Sequence, residues 1–200
     1  MKKILLTLVV ALIAATASAL DSKTIKVNGT TRKYLQYVPK GVGKNAPLLI
    51  SCHGMNQDAN YQSGMLKIES VADTALFITV FPQGEGNSWD ISGTKDINFI
   101  LALIDKMHDD YGIDRGRVYL SGFSMGGMMT YACAKVLNGT FAAYGSCSGY
   151  PLNEFHMNLA TENPIPFIHM HGNSDQILGI KHLNTIIENL LFRNGCALSN

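Results

Sequence analysis

Apolar and polar positions along this chain fall into short blocks that switch between a period of two and a period near 3.6. Thr24 to Val27 and Lys33 to Val38 alternate as half-buried strands do, and Asn28-Gly29 between them predicts a hairpin. Pro47 to Cys52 and Leu76 to Phe81 are continuous apolar runs that end at His53-Gly54 and at Pro82, so both predict strands buried on two faces. The sequence between them reads as helical, with Leu66, Ile68 and Val71 expected to face the sheet. From Asp96 to Tyr111, Ile97, Ile100, Leu101, Ile104, Met107 and Tyr111 recur every three or four residues and predict an amphipathic helix that Gly112 ends. Arg117 to Ser121 predicts a third buried strand, followed by glycines and by a helix with Met125, Met128, Met129, Ala132 and Val136 on one face. Phe141 to Ser146 and Ile165 to His171 read as strands, and Leu183 to Phe192 as a helix before Asn194-Gly195. Strands alternating with helices predict an α/β fold with a mostly parallel sheet and helices on both faces. No repeat, low-complexity tract or linker divides it, so one domain is expected from Leu20 to Asn200.

The N-terminus carries a different signal. Lys2 and Lys3 precede an apolar run from Ile4 to Ala15 that closes on Ala17-Ser18-Ala19, the pattern of a signal peptide over residues 1–19 cleaved after Ala19. As an uncleaved anchor the run falls short of the roughly 20 residues that span a bilayer. A secreted protein, extracellular or periplasmic, is expected, with no membrane association after cleavage. At 46% hydrophobic and 16% charged residues the chain has the composition of a folded domain. The formal net charge is +1, and −1 once Lys2 and Lys3 are removed. With basic residues scattered, no footprint for a phosphate backbone is present, and nucleic acid is not an expected partner. Cys52, Cys133, Cys147 and Cys196 allow three disulfide pairings in an exported chain, but Cys52 and Cys133 lie in apolar segments where a buried thiol is the commoner outcome, and no bridge is assigned.

Gly122-Phe123-Ser124-Met125-Gly126 forms a G-x-S-x-G set between a predicted strand and a predicted helix. A serine on such a sharp turn projects its Oγ out of the sheet, while the helix N-terminus aims free N–H groups at an oxyanion formed beside it. The plainer alternative is a Gly-rich turn with Ser124 as an N-cap. The end of the strand at Cys52 offers a second donor set in His53-Gly54-Met55, so the backbone N–H groups of Met55 and Met125 are the candidate oxyanion hole. His53 is a candidate for contact with substrate beside the site, or a core histidine bonded to a carbonyl. Asp175, in the loop after Ile165 to His171, is the candidate acid, with a helix cap as its alternative.

The stretch from Tyr111-Gly112-Ile113-Asp114 through Arg117 to Met129 (RVYLSGFSMGGMM), with PLLISCHGMNQDA at Pro47 to Ala59, Phe81-Pro82-Gln83-Gly84 with Ser88-Trp89-Asp90, and FIHMHGNSD at Phe167 to Asp175, resembles the secreted esterases that group polyhydroxybutyrate depolymerases with feruloyl and acetyl-xylan esterases of carbohydrate esterase type. The likeness runs from about Lys33 to Cys196. It implies an α/β-hydrolase fold and ester hydrolysis through an acyl-enzyme, with Ser124 as nucleophile, Asp175 as acid, Met55 and Met125 as oxyanion donors and Trp89 against the substrate, or else as a core aromatic. No metal or cofactor is implied, and the substrate is a polysaccharide-linked or polyester one. Feruloyl or acetyl groups on xylan are the expected target. A polyhydroxyalkanoate depolymerase and a non-catalytic carbohydrate-binding relative are the alternatives. The family order is Ser, Asp, His, yet after Asp175 the sequence holds only His182, at the start of a predicted helix; His108, His156 and His169 read as structural. The expectation is a hydrolase domain incomplete at its C-terminus, without its last strand and its catalytic histidine, and with severely reduced activity.

Overall fold

The computed structural model describes residues 20–137, 139–151 and 164–196, so residues 1–19, where a signal peptide is expected, and His156 lie outside the described residues. Seven strands form one sheet, β1 (Leu20–Val27), β2 (Thr30–Tyr37), β3 (Leu48–Cys52), β4 (Ile78–Pro82), β5 (Val118–Phe123), β6 (Ala143–Cys147) and β7 (Phe167–Met170), in the order β1-β2-β4-β3-β5-β6-β7. The opening hairpin pairs β1 with β2 from Leu20↔Tyr37 to Val27↔Thr30. Its turn residues Asn28 and Gly29 both have positive φ, 48° and 84°, the mirror-image turn whose twist matches that of the flanking strands. β2 runs antiparallel to β4, and from β4 to β7 the sheet is parallel.

Residue alternation divides the sheet into two faces. On one, Leu48, Ile50, Cys52, Val118, Leu120 and Tyr144 join the core with α3 (Lys95–Tyr111), α4 (Met125–Val136) and α5 (Leu183–Arg193). Helix α3 buries Ile97, Ile100, Ile104 and Met107 as its periodicity predicts, together with Phe99 and Leu103, and its C-cap Gly112 donates its N–H to the His108 carbonyl. Each such side chain contributes about 1.5–3 kcal/mol on burial.

Two helices depart from the pattern. Helix α4 is buried nearly all round, from Gly126 to Ala134, while Val136 at its end is exposed; it lies against β3, β5 and β6. The predicted helix between β3 and β4 is two short ones, α1 (Ala59–Leu66) and α2 (Glu69–Ala75). Val71 and Leu66, expected against the sheet, are exposed, and the buried positions are Ala59, Gln62, Ser63 and Ala72. The reason lies opposite: Ser51 points to this second face and accepts a hydrogen bond from Gln62 Nε2 at 2.9 Å, so α1 docks through a polar contact. The rest of this face, Leu49, Tyr119, Ala143, Gly145 and Ile168 with Phe77, lines an open apolar groove of about 420 Å³.

A buried ion pair ties the hairpin to the connection between β4 and α3. Arg32 Nη2 donates to Asp96 Oδ1 at 2.6 Å, and its guanidinium lies 4.0 Å over the Phe99 ring. Asp96 Oδ2 accepts the Asp90 backbone N–H at 2.6 Å, so the same carboxylate shapes the loop that passes over the C-terminal end of β4.

Candidate active site

Between β5 and α4 the chain turns at Ser124 with φ 51° and ψ −117°, a conformation that costs a non-glycine residue roughly 1–3 kcal/mol and persists only where its surroundings impose it. The turn is fixed on both sides, by the Ser124 N–H on the Cys147 carbonyl at 2.8 Å and the Met128 N–H on the Ser124 carbonyl at 3.1 Å. Two of the neighbouring glycines are there for close approach. A Cβ on Gly122 would stand 2.1 Å from the Gly126 carbonyl oxygen, and one on Gly126 would stand 2.2 Å from that of Cys52. Strand and helix therefore meet at backbone distance, as the G-x-S-x-G set requires.

Parallel pairing of β3 with β5 places Cys52 opposite Gly122, so the chain leaving β3 through His53-Gly54-Met55 runs beside the chain leaving β5 at Ser124-Met125. Asn56 donates its N–H to the Asn87 carbonyl at 2.8 Å, Gln57 to that of Gly54 at 3.2 Å, and the Gly54 N–H bonds Gln57 Oε1 at 2.9 Å. These bonds close the turn without using the Met55 N–H. Met125 opens α4, where backbone N–H groups have no acceptor within the helix. The Met55 side chain points to solvent, and that of Met125 accepts a hydrogen bond from Ser88 Oγ at its sulfur, 3.4 Å.

Asp175 stands in the turn beyond β7. Its Oδ1 accepts the N–H groups of Ile177 and Leu178, each at 2.9 Å, and Oδ2 lies 3.5 Å from His171 Nε2. The Leu178 and Ile177 N–H bonds lower its pKa, with smaller contributions from His171 and from a hydrogen bond with the Ser148 side chain. Ser148 follows Cys147, whose carbonyl holds the Ser124 N–H, and its own N–H bonds the Met170 carbonyl at 2.8 Å. One short segment at the end of β6 thus holds Ser124 on one side and, on the other, the end of β7 from which the Asp175 turn departs.

His53 and Trp89, the candidates for contact with substrate, are both bonded to backbone. His53 is fully buried; the Gly84 N–H donates to its Nε2 at 3.0 Å, which leaves Nδ1 as the protonated nitrogen, donating to the Gly54 carbonyl at 2.8 Å. Burial lowers its pKa and keeps the ring neutral. With both nitrogens on backbone, His53 ties the loop after β3 to the loop after β4. Trp89, 4% exposed, packs its ring 4.7 Å from that of His53 and donates Nε1–H to the His53 carbonyl at 2.7 Å. His108 bonds the Ile113 carbonyl before β5, at the opposite end of the strands from Ser124, and His169 lies within β7. His182 ends a short 3-10 turn, Ile180–His182, ahead of α5. The four cysteines are free thiols.

Sequence reasoning missed three features: the Arg32–Asp96 pair, the tether at Ser148, and an array in which Tyr131 Oη meets His169 Nδ1 at 2.8 Å and His169 Nε2 meets His171 Nδ1 at 3.2 Å. Only the last had a visible signal, since His169 and His171 two apart near a strand fall on one side of it.

A central parallel sheet in this strand order, with a strained serine between strand and helix and an aspartate beyond a later strand, is the α/β-hydrolase arrangement. Among solved structures the chain is similar to a thermostable esterase, with a TM-score of 0.72 and 23% identity over 88% of this chain and 52% of that one. It is also similar to the acetyl xylan esterase from Aspergillus awamori, with a TM-score of 0.63 and 23% identity over 86% and 66%. Within that fold the chain belongs to the phospholipase/carboxylesterase family, whose model matches residues 90–195. It is 41% identical to a bifunctional acetylxylan esterase/xylanase of Neocallimastix patriciarum over 80% of this chain and 24% of that protein. To a probable feruloyl esterase C of Aspergillus flavus it is 29% identical over 91% and 70%. The chain thus spans about a quarter of the length of the first relative.

Proposed function

We propose that this chain carries the nucleophile and the acid of a serine carboxylic-ester hydrolase acting on plant cell-wall esters, acetyl or feruloyl groups on xylan. The observation that carries the reading is Ser124, held at positive φ beside the unused N–H of Met55 and the first N–H of α4, and bonded to Cys147, whose neighbour Ser148 bonds the end of β7 ahead of Asp175. The similarity to acetylxylan and feruloyl esterases supports the substrate class.

In this reading Ser124 Oγ attacks the ester carbonyl carbon while its proton passes to a base, and the carbonyl oxygen takes up charge against the Met55 and Met125 N–H groups. Collapse of the adduct breaks the bond to the alcohol, which leaves with the proton. Water then releases the acid from the acyl-enzyme. Asp175 orients the base through Oδ2. None of His53, His108, His169 or His171 is placed to be that base, because each is bonded elsewhere. Without a histidine to take the Ser124 proton, ester turnover is expected to run roughly 10⁴- to 10⁶-fold more slowly than in a complete triad enzyme. Residues 20–200 act as one hydrolase domain exported on the 1–19 signal; N-terminal sequencing of the secreted protein should begin at Leu20.

The test is release of acid from acetylated and feruloylated xylo-oligosaccharides, with hydroxybutyrate oligomers as comparison and Ser124→Ala as control. Slow release from the xylan esters that Ser124→Ala abolishes is expected. Preference for the hydroxybutyrate oligomers, release unaffected by Ser124→Ala, or near-normal turnover would overturn the corresponding part of the reading.

A further inference from the structure

The Tyr131, His169 and His171 side chains form a directional array whose proton positions follow from its far end. His171 Nε2 lies 2.6 Å from the Leu178 carbonyl, and a carbonyl only accepts, so Nε2 carries a proton. In the neutral ring His171 Nδ1 is then an acceptor, and His169 Nε2–H donates to it at 3.2 Å. That leaves His169 Nδ1 to accept the Tyr131 O–H at 2.8 Å. Every donor has one acceptor, and the series ends on the turn that holds Asp175. Leu178 is its hinge, since its carbonyl takes the His171 proton while its N–H bonds Asp175 Oδ1. Tyr150 adds a second hook, donating its O–H to the next carbonyl, that of Gly179, at 2.9 Å. The array is rigidly seated. Tyr131 is buried and stacked on Phe167 at 4.4 Å, the two imidazoles lie parallel with centroids 5.4 Å apart, and the His171 side chain is 2% exposed.

We propose that His171, with its tautomer set by His169 and Tyr131, is a positioning residue for Asp175: by holding the Leu178 carbonyl it keeps the Ile177 and Leu178 N–H groups on Oδ1 and leaves Oδ2 for the catalytic base. This rests on the reading of Asp175 as the acid. It goes beyond that reading in giving two buried histidines, remote from proton transfer to substrate, a defined part in the geometry of the site. A second proton on His169 would sit on Nδ1 and force the Tyr131 O–H to turn away from the series. The low pKa of His169, pushed down to about 4 by burial and by His171, agrees with that.

The experiment uses the 200-residue protein labelled for side-chain nitrogen and carboxyl-carbon NMR. At neutral pH both His169 and His171 should carry their proton on Nε2. The Asp175 carboxyl should titrate below the usual aspartate value in the wild type and in His171→Gln, whose amide N–H reaches the position of Nε2. In His171→Leu, and in His171→Asn, whose shorter amide reaches only the position of Nδ1, it should rise to the ordinary aspartate value while the amide resonances of the β1–β2 hairpin stay in place. An unchanged Asp175 titration in His171→Leu, or a proton on His171 Nδ1 in the wild type, overturns the proposal. The tautomer measurement decides alone if the leucine variant does not fold. These readouts do not depend on ester cleavage, so a failure of Asp175 as the acid, seen as unchanged hydrolysis in Asp175→Asn, would be distinguishable.

Discussion

His53 and Trp89 fix the loop that leaves β3 through what they bond. His53 joins the Gly54 carbonyl to the Gly84 N–H, and Trp89 caps the His53 carbonyl, so three loop segments share one buried hydrogen-bond unit. Trp89→Phe keeps most of the packing but strands that carbonyl, which costs about 1–3 kcal/mol. Urea unfolding should show this loss, with little change in KM for a small ester. Unchanged stability with a raised KM would instead return Trp89 to the substrate. At this scale the sequence revealed which residues gather at the site but not how they act. The turn at Ser124 and the loop position of Asp175 were legible because flanking glycines and the end of a strand show in local sequence. The tautomer of His53 was not, because it is set by an N–H 31 residues away.

Among the elements, those with strong periodicity were legible. Helix α3 and the apolar strands followed directly, because burying one face or both imposes a pattern that survives in sequence. Helices α1 and α2 were not, because their buried positions are small or polar and Gln62 docks on Ser51 instead of filling an apolar gap. Arg32 gave no signal either: a charged residue in a hairpin reads as solvated until Asp96 is seen opposite it. Arg32→Met leaves Asp96 buried without its cation and should cost about 3–5 kcal/mol, read from chemical denaturation. A loss under 1 kcal/mol would mean that water replaces the guanidinium. Gly126→Ala pushes α4 off the Cys52 and His53 carbonyls, 2.2 and 2.7 Å from the new Cβ. This variant should lose the turn at Ser124 and a large part of its thermal stability; a wild-type melting temperature would contradict the close approach.

Over the whole molecule, buried neutral histidines make stability depend on pH. His169 titrates near 4 in the folded state against 6.5 ordinarily, through burial and then His171, and burial lowers His53 as well. Below 6.5 the unfolded chain takes up protons that the native rings refuse. Stability is therefore full above 6.5 and falls as pH drops toward 4, and the bonds that lower the pKa of Asp175 are lost at still lower pH. Melting temperature should fall across that window, and His169→Gln should flatten the fall; a temperature constant from pH 7 to 4 would contradict the account. The mostly parallel sheet and the serine turn were foreseen by alternation and by the G-x-S-x-G set, whereas this acid sensitivity required knowing which histidines are enclosed. The central claim is that Ser124 is the nucleophile, and intact-protein mass spectrometry after reaction with a fluorophosphonate tests it most directly, with imidazole added as a substitute base. One adduct on the peptide containing Ser124, formed faster with imidazole and absent from Ser124→Ala, is the predicted result. An adduct elsewhere, an equal adduct in Ser124→Ala, or no adduct after prolonged reaction with imidazole would contradict it.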